Sequence, residues 1–275
     1  MFPYNRKLRY KLVDGMRQHL LRAEIIPIHQ ISELLIEEMY KTYIHYYSGT
    51  NRQIFRSDFN NKDFCILIFN ENEDNALVGF SAISIYIESV QNENFGIIYS
   101  GDTIIKHQYW GSNILIKAWL SFAGEVYRQF NFIPWYWLLL VKGHRTYRYL
   151  NLFFKDYYPR AGANIPENLR MKRDSIAFKS FGECFNSNSA LIKFPETKGY
   201  LKEEWNGINE KTKDHKEVNF FKSQNPNFNS GDELVCFSEI SPENLKKKSL
   251  IMFNDNSYAK FLPVNFTQKL KKDLI

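Results

Sequence analysis

Cysteine is scarce in this chain of 275 residues: Cys65, Cys184 and Cys236 stand far apart, each among apolar neighbours. An odd set without Cys-x-x-Cys spacing argues against a disulfide framework or a zinc site, and no metal is expected. Long apolar runs are missing too. The longest, Phe132 to Val141, is interrupted by Pro134 and falls far short of the roughly 20 residues a spanning helix needs, so no membrane span is expected. The segment Met1 to Tyr10 is polar and basic with no apolar core behind it, so no secretory signal is expected and the cytoplasm is the expected location. Gly-x-Ser-x-Gly, His-Glu-x-x-His and P-loop patterns are absent, as are internal repeats and low-complexity tracts.

What is present is apolar and aromatic. Hydrophobic residues make up 44% of the chain and aromatic residues 16%, enough for a sizeable core and for lining an apolar cleft. The formal net charge of +6 favours anionic partners such as a phosphorylated cofactor or an acidic carrier protein. The charges are dispersed, and the densest run, Lys246-Lys247-Lys248, is only three residues long. A basic RNA-binding module, for which Arg145 to Tyr149 would interleave Arg with aromatics, is therefore the weaker class, and nucleic acid is not an expected partner.

Hydrophobic periodicity divides the chain. Ile31, Leu34, Leu35 and Met39 recur at helical spacing within 29–47, with Gly49 as a stop, followed by a polar stretch over 51–63. Phe64 to Phe69, an acidic and amide-rich turn, and the alternating Leu77 to Glu88 read as a β-hairpin, which Phe95 to Lys106 extends into an antiparallel meander. From Asn113 the period changes, and Leu115, Trp119, Phe122, Val126 and Phe130 predict a helix. Phe132 to Val141 reads as a buried strand and Arg145 to Tyr157 as a second helix ending before Pro159. Farther on, Glu167 to Phe181 reads as a helix, Gly207 to Glu217 as a charged connector, and Leu234 to Phe237 as a short strand.

The junction Thr103-Ile104-Ile105-Lys106-His107-Gln108-Tyr109-Trp110-Gly111-Ser112-Asn113-Ile114-Leu115 carries the chemistry. A strand feeding a helix through a tight turn aims several backbone N–H groups one way, at the positive end of the helix dipole, which suits a pyrophosphate. Here the chain resembles the GNAT N-acetyltransferase superfamily as a divergent member. In that family a Val-x-Pro-x-Tyr stretch leads into an Arg/Gln-x-x-Gly-x-Gly/Ala loop. Ile105 stands for the Val, Tyr109 for the Tyr and Gly111 for the Gly that often follows the Arg. Trp110 replaces the Arg or Gln, Asn113 the next Gly, and Leu115 the small residue.

The resemblance implies a mixed α/β (α+β) fold with a central, largely antiparallel sheet flanked by helices. It implies a single domain over 1–275, with a core of about 20–160 and C-terminal strands and an extension over 161–275. It also implies a splay between two strands that holds the pantetheine of acyl-CoA, acetyl or longer. The expected activity is acyl transfer to the amine of a small molecule or peptide, with an acyl carrier protein as the other possible donor. A non-catalytic GNAT-fold protein that binds acyl-CoA or a peptide is the alternative. The expected donor-binding residues are Ile104, Ile105, Tyr109, Trp110, Gly111, Ser112, Asn113, Ile114 and Arg145. The family's tyrosine acid falls at Phe153 or Phe154 here, leaving Tyr149, one turn earlier, as its substitute. Asp102, a carboxylate beside Gly101 in an apolar strand, is the candidate base, because burial alone would be costly for it.

Overall fold

The computed structural model describes residues 8–14, 17–207, 214–255 and 270; part of the expected connector, 208–213, lies outside them. The meander forms as expected: β4 (Phe64–Asn70), β5 (Ala76–Val90) and β6 (Glu93–Ile105) are antiparallel neighbours. Asp74 and Asn75 take positive φ in the first turn, as short polar residues do most readily. Two strands without an expected counterpart, β1 (Leu8–Asp14) and β2 (Arg17–Pro27), extend the sheet on the β4 side.

Helix α1 (Glu33–Tyr46) is capped by Ser32, whose hydroxyl accepts the Leu35 N–H at 3.3 Å. It stops before Gly49, where β3 (Tyr47–Ser48) pairs with β10 (Tyr200–Leu201). The polar stretch over 51–63 contains a helix, α2 (Arg52–Asn60), capped by Asn51 at 2.9 Å to the Ile54 N–H. Each such cap is worth about 1 kcal/mol. Only Phe55 and Phe59, one turn apart, are buried from α2, so the apolar signal is a narrow stripe in a polar segment.

Helix α3 (Ile114–Gln129) leads to β7 (Trp135–Val141), which runs parallel to β6, and then to α4 (His144–Phe153). Helix α4 ends earlier than expected because Phe154 turns extended and bridges Leu245. Helix α5 (Glu167–Phe181) precedes the short strands β8 (Phe185–Asn186) and β9 (Leu191–Ile192). Helices α6 (Glu203–Asn206) and α7 (Lys216–Gln224), strand β11 (Glu233–Glu239) and helix α8 (Lys247–Phe253) follow.

The main sheet has nine strands in the order β1-β2-β4-β5-β6-β7-β11-β9-β8, with β6 and β7 the parallel pair. The expected strand at Leu234 to Phe237 thus completes the sheet as β11, antiparallel to β7. One face packs against α3, α4, α7 and α8 through Phe122, Trp119, Tyr147 and Phe221, all buried. The other carries α1 and α2 over β4–β6 and α5 over β5 and β11. This is the mixed, largely antiparallel, helix-flanked α/β architecture that the resemblance implied. Among the described residues no helix is long and apolar enough to cross a membrane.

Candidate active site

Strands β6 and β7 pair from Gly96–Trp135 to Ser100–Leu139 and then part, although β6 continues to Ile105 and β7 to Val141. The cause lies on the other edge of β6. Ser81 pairs with Thr103 and Ile83 with Ser100, so Gly101 and Asp102 share the place opposite Ala82 as a β-bulge, which bends the strand and increases its twist. A Cβ at Gly101 would lie 2.7 Å from Lys62 Cε, so glycine is what lets that side chain cross the strand. Below the fork, Ser100 Oγ accepts both indole N–H groups of Trp119 and Trp137, at 2.9 and 3.0 Å. The two rings are 4.2 Å apart.

At the far end of β6 the Lys106 N–H donates to Val78 O in β5. Strand alternation therefore turns the peptide groups of Ile105 and Thr103 the other way, into the fork. The Ile105 carbonyl accepts the Trp110 indole N–H at 2.8 Å. A single 3₁₀ turn, His107–Tyr109, and Gly111 at φ +93° then reverse the chain. The first intrahelical bond of α3 runs from the Lys117 N–H to Asn113 O. The N–H groups of Asn113, Ile114, Leu115 and Ile116 thus have no backbone acceptor among the described residues, and Asn113 supplies no side-chain cap. Ser112 Oγ, on a residue 6% exposed, is buried beside them without a partner among the described residues. At the end of a 16-residue helix, such free N–H groups can accept an anion. The Arg145 guanidinium lies 4.2 Å over the Trp110 ring and donates to the carbonyls of Trp205 and Gly207.

One cavity of about 730 Å³ joins the α3 N-terminus through the fork to a chamber under α1 and α2. There Lys142, at the end of β7, pairs with Glu233 of β11 at 3.0 Å, and Lys62 pairs with Asp58 of α2 at 2.8 Å. Lys62 Nζ lies 5.3 Å over the Tyr99 ring, Lys142 Nζ 6.0 Å over that of Tyr47, and Tyr43 stacks on Tyr47 at 4.7 Å. Asp102, on the bulge, faces this chamber. Burial and then the Asp58 charge push its carboxyl up to about 7, against the pull of Lys142 and Lys62 and with a further push from Glu233. Burial likewise raises the Tyr47 hydroxyl to about 12.

The fork gathers much of what the sequence singled out. Ile105, Gly111, Ser112, Asn113 and the amide of Ile114 meet at the turn, with Trp110 and Arg145 stacked beside them. Ile104 and Ile114 bury their side chains on opposite faces of the sheet. Tyr109 is fully buried, donating to Glu73 and accepting from Asn70. Tyr149 lines the cavity from α4, its ring 6.0 Å from Phe153, and burial raises its hydroxyl. His107, also on the strand flank, stacks on Trp205 instead. Sequence reasoning missed Tyr43, Tyr47, Asp58, Lys62, Tyr99 and Glu233. Only the Asp58–Lys62 spacing of one helical turn was a local signal. Among the described residues no group of three or more His, Cys, Asp or Glu is placed to hold a metal.

No family model and no curated protein matches this chain. Solved structures do. A probable N-acyltransferase from Enterococcus faecalis V583 is similar at 10% identity and TM-score 0.34, over 46% of this chain and 31% of its own. The present chain thus spans under a third of that protein's length. Escherichia coli ElaA is similar at 12% identity and TM-score 0.32, over 52% of this chain and 94% of its own. A mutant of the toxin AtaT, bound to the C-terminus of the antitoxin AtaR and to acetyl-CoA, is similar at 10% identity and TM-score 0.31, over 54% and 88%.

Proposed function

We propose that this chain is a GNAT-type N-acyltransferase that moves an acyl group from acyl-CoA, acetyl or longer, to an amine. The observation that carries the reading is a single cavity running through a fork in the sheet. Unpaired helix N–H groups stand at one end of it and a carboxylate of near-neutral pKa at the other.

The residues at the α3 end fit a diphosphate. The amides of 113–116 and the unpartnered Ser112 Oγ would hold it, and Gly111 permits the turn that aims them. Arg145 supplies the nearby cation where Trp110 replaces the loop arginine. Acyl-CoA supplies the activated thioester. The N–H groups of Thr103 and Ile105 face the fork and are the donors available to a carbonyl oxygen that gains charge there. Asp102 takes the proton of the incoming ammonium, a task suited to a base poised near neutral pH. The Tyr149 hydroxyl, held protonated by burial, is the donor to the departing thiolate. Positioning of both partners in one enclosed channel adds to these effects. The three cysteines are free thiols, which fits a reducing, cytoplasmic setting.

One observation favours the peptide-binding form of the non-catalytic alternative. The Trp110 indole occupies the Ile105 carbonyl, a strand acceptor that a pantetheine amide would otherwise meet. Thermal-shift titration with acetyl-CoA and CoA, followed by thiol release across an amine panel, separates the readings. Saturable stabilisation with turnover supports transfer, and stabilisation without turnover leaves a binding protein. An acyl carrier protein replaces CoA as donor if only the carrier thioester is consumed.

A further inference from the structure

The chamber under α1 and α2 has its own charge pattern, and that pattern specifies an acceptor. The two lysines that act on Asp102 are matched by carboxylates: Lys62 by Asp58 and Lys142 by Glu233. Asp102 is half-buried, faces the cavity and makes no hydrogen bond or ion pair among the described residues. The charges that act on it, Asp58 of α2, Lys62 in the turn after α2, Lys142 just past β7 and Glu233 of β11, are already in those two pairs. The nearby lining is otherwise uncharged: the aromatic Tyr43, Tyr47 and Tyr99, with the neutral Thr50, Gln53 and Asn61. One unmatched carboxylate between aromatic faces calls for one ammonium on a neutral body.

We infer that the acceptor is a primary monoamine with a flat or aliphatic neutral body, not an α-amino acid or a diamine. An α-carboxylate beside the reacting nitrogen would lie against Asp102, with Glu233 and Asp58 nearby, and like-charge contact in an enclosed site is strongly unfavourable. A second ammonium would find each remaining carboxylate paired, and its lost hydration would go uncompensated. The remaining cavity-lining cations are Arg145 and Arg148 of α4 and Lys198, which lies over the Phe194 ring. Lys198 is exposed, so it offers a rim contact and does not match a charge held at Asp102. The inference rests on the transfer reading for its purpose, but amine binding without any donor tests it separately.

The experiment is isothermal titration of the full chain at pH 8, where Asp102 is ionised, with 2-phenylethylamine, L-phenylalanine and 1,4-diaminobutane. The expected result is 2-phenylethylamine binding at least about tenfold tighter than either of the others. Asp102→Asn, with its fold checked by circular dichroism, should abolish that preference. Lys142→Gln frees the Glu233 carboxylate and should shift the preference about tenfold toward 1,4-diaminobutane. Equal or tighter binding of L-phenylalanine or 1,4-diaminobutane to the unmodified chain overturns the inference. So does the absence of amine binding, or a folded Asp102→Asn that keeps the preference. If amine discrimination holds but acetyl-CoA does not bind, the transfer reading falls and the chamber assignment stands.

Discussion

The α3 end of the cavity is made by one unbroken run, Ile105 to Leu115, whereas the chamber beyond the fork draws Tyr43, Asp58, Asp102, Lys142 and Glu233 from α1, α2, β6, the residue after β7 and β11. The first end works through backbone N–H groups, which any sequence supplies once the strand, turn and helix form. The second works through side-chain charges whose balance depends on which strands are neighbours. A main-chain site would tolerate replaced letters such as Trp110 and Asn113. A side-chain site would not, because removing one partner leaves the other charge buried and unmatched.

Substitutions that separate the two ends sharpen this comparison. The largest effect is expected at Asp102. Asp102→Asn should lower kcat/KM for acyl transfer by about 10²–10⁴ while acetyl-CoA affinity stays within about twofold, by steady-state thiol release and titration. Loss of both together would show that the ends are not separable. Next, Ser100→Ala removes the acceptor shared by the Trp119 and Trp137 indoles at the root of the fork. Leaving two buried donors unpaired should cost about 2–4 kcal/mol in urea unfolding.

Gly111→Leu meets no neighbour, since nothing lies within 4 Å of a Cβ there. Its effect comes from φ +93°, which costs a branched side chain about 1–2 kcal/mol. Acetyl-CoA should therefore bind about tenfold more weakly, with amine binding unchanged. A clear change in amine binding would mean the ends communicate.

The smallest effects are on pH dependence. The Asp102 carboxyl is raised from 3.8 to about 7, so its contribution to stability is full below pH 3.8 and lost as pH rises through about 7. Asp102→Asn should accordingly raise Tm by a few °C at pH 8 and change it little near pH 4. The parent's transfer rate should climb through pH 7 as the base ionises. His144 has the opposite sign. Burial, then Arg145, Arg148 and Lys222, hold it down at about 4 against 6.5, so stability falls between pH 6.5 and 4 as the unfolded chain takes up the proton. His144→Gln should flatten that part of an acid-denaturation curve.

Where hydrophobic period was strong, the sequence was legible. The meander over 64–105, helix α3 from Asn113, helix α5 over 167–181 and the strand at Leu234 all reported through residues that fill one face of one element. Helix α2 was hidden because only Phe55 and Phe59 carry its apolar face. Strands β1 and β2 were not read as strands. In the site, Ile105 to Leu115 could be read because the motif is contiguous, and Asp102 because a carboxylate in an apolar strand is conspicuous. Glu233 and Lys142 could not be paired on paper, lying on strands brought together only by β11 docking on β7.

The sequence by itself determined the order of strands and helices from β4 to α5, the turn at Gly111 and the carboxylate at 102, because these depend on local period, backbone freedom and residue type. Tertiary structure decided where β6 and β7 part, which lysine neutralises which carboxylate, and that Asp102 is the one left unmatched. The physical reason is range. A helix or turn is set by contacts a few residues apart, but the ionisation of a buried carboxyl is set by every charge within several ångströms, and only folding chooses those neighbours.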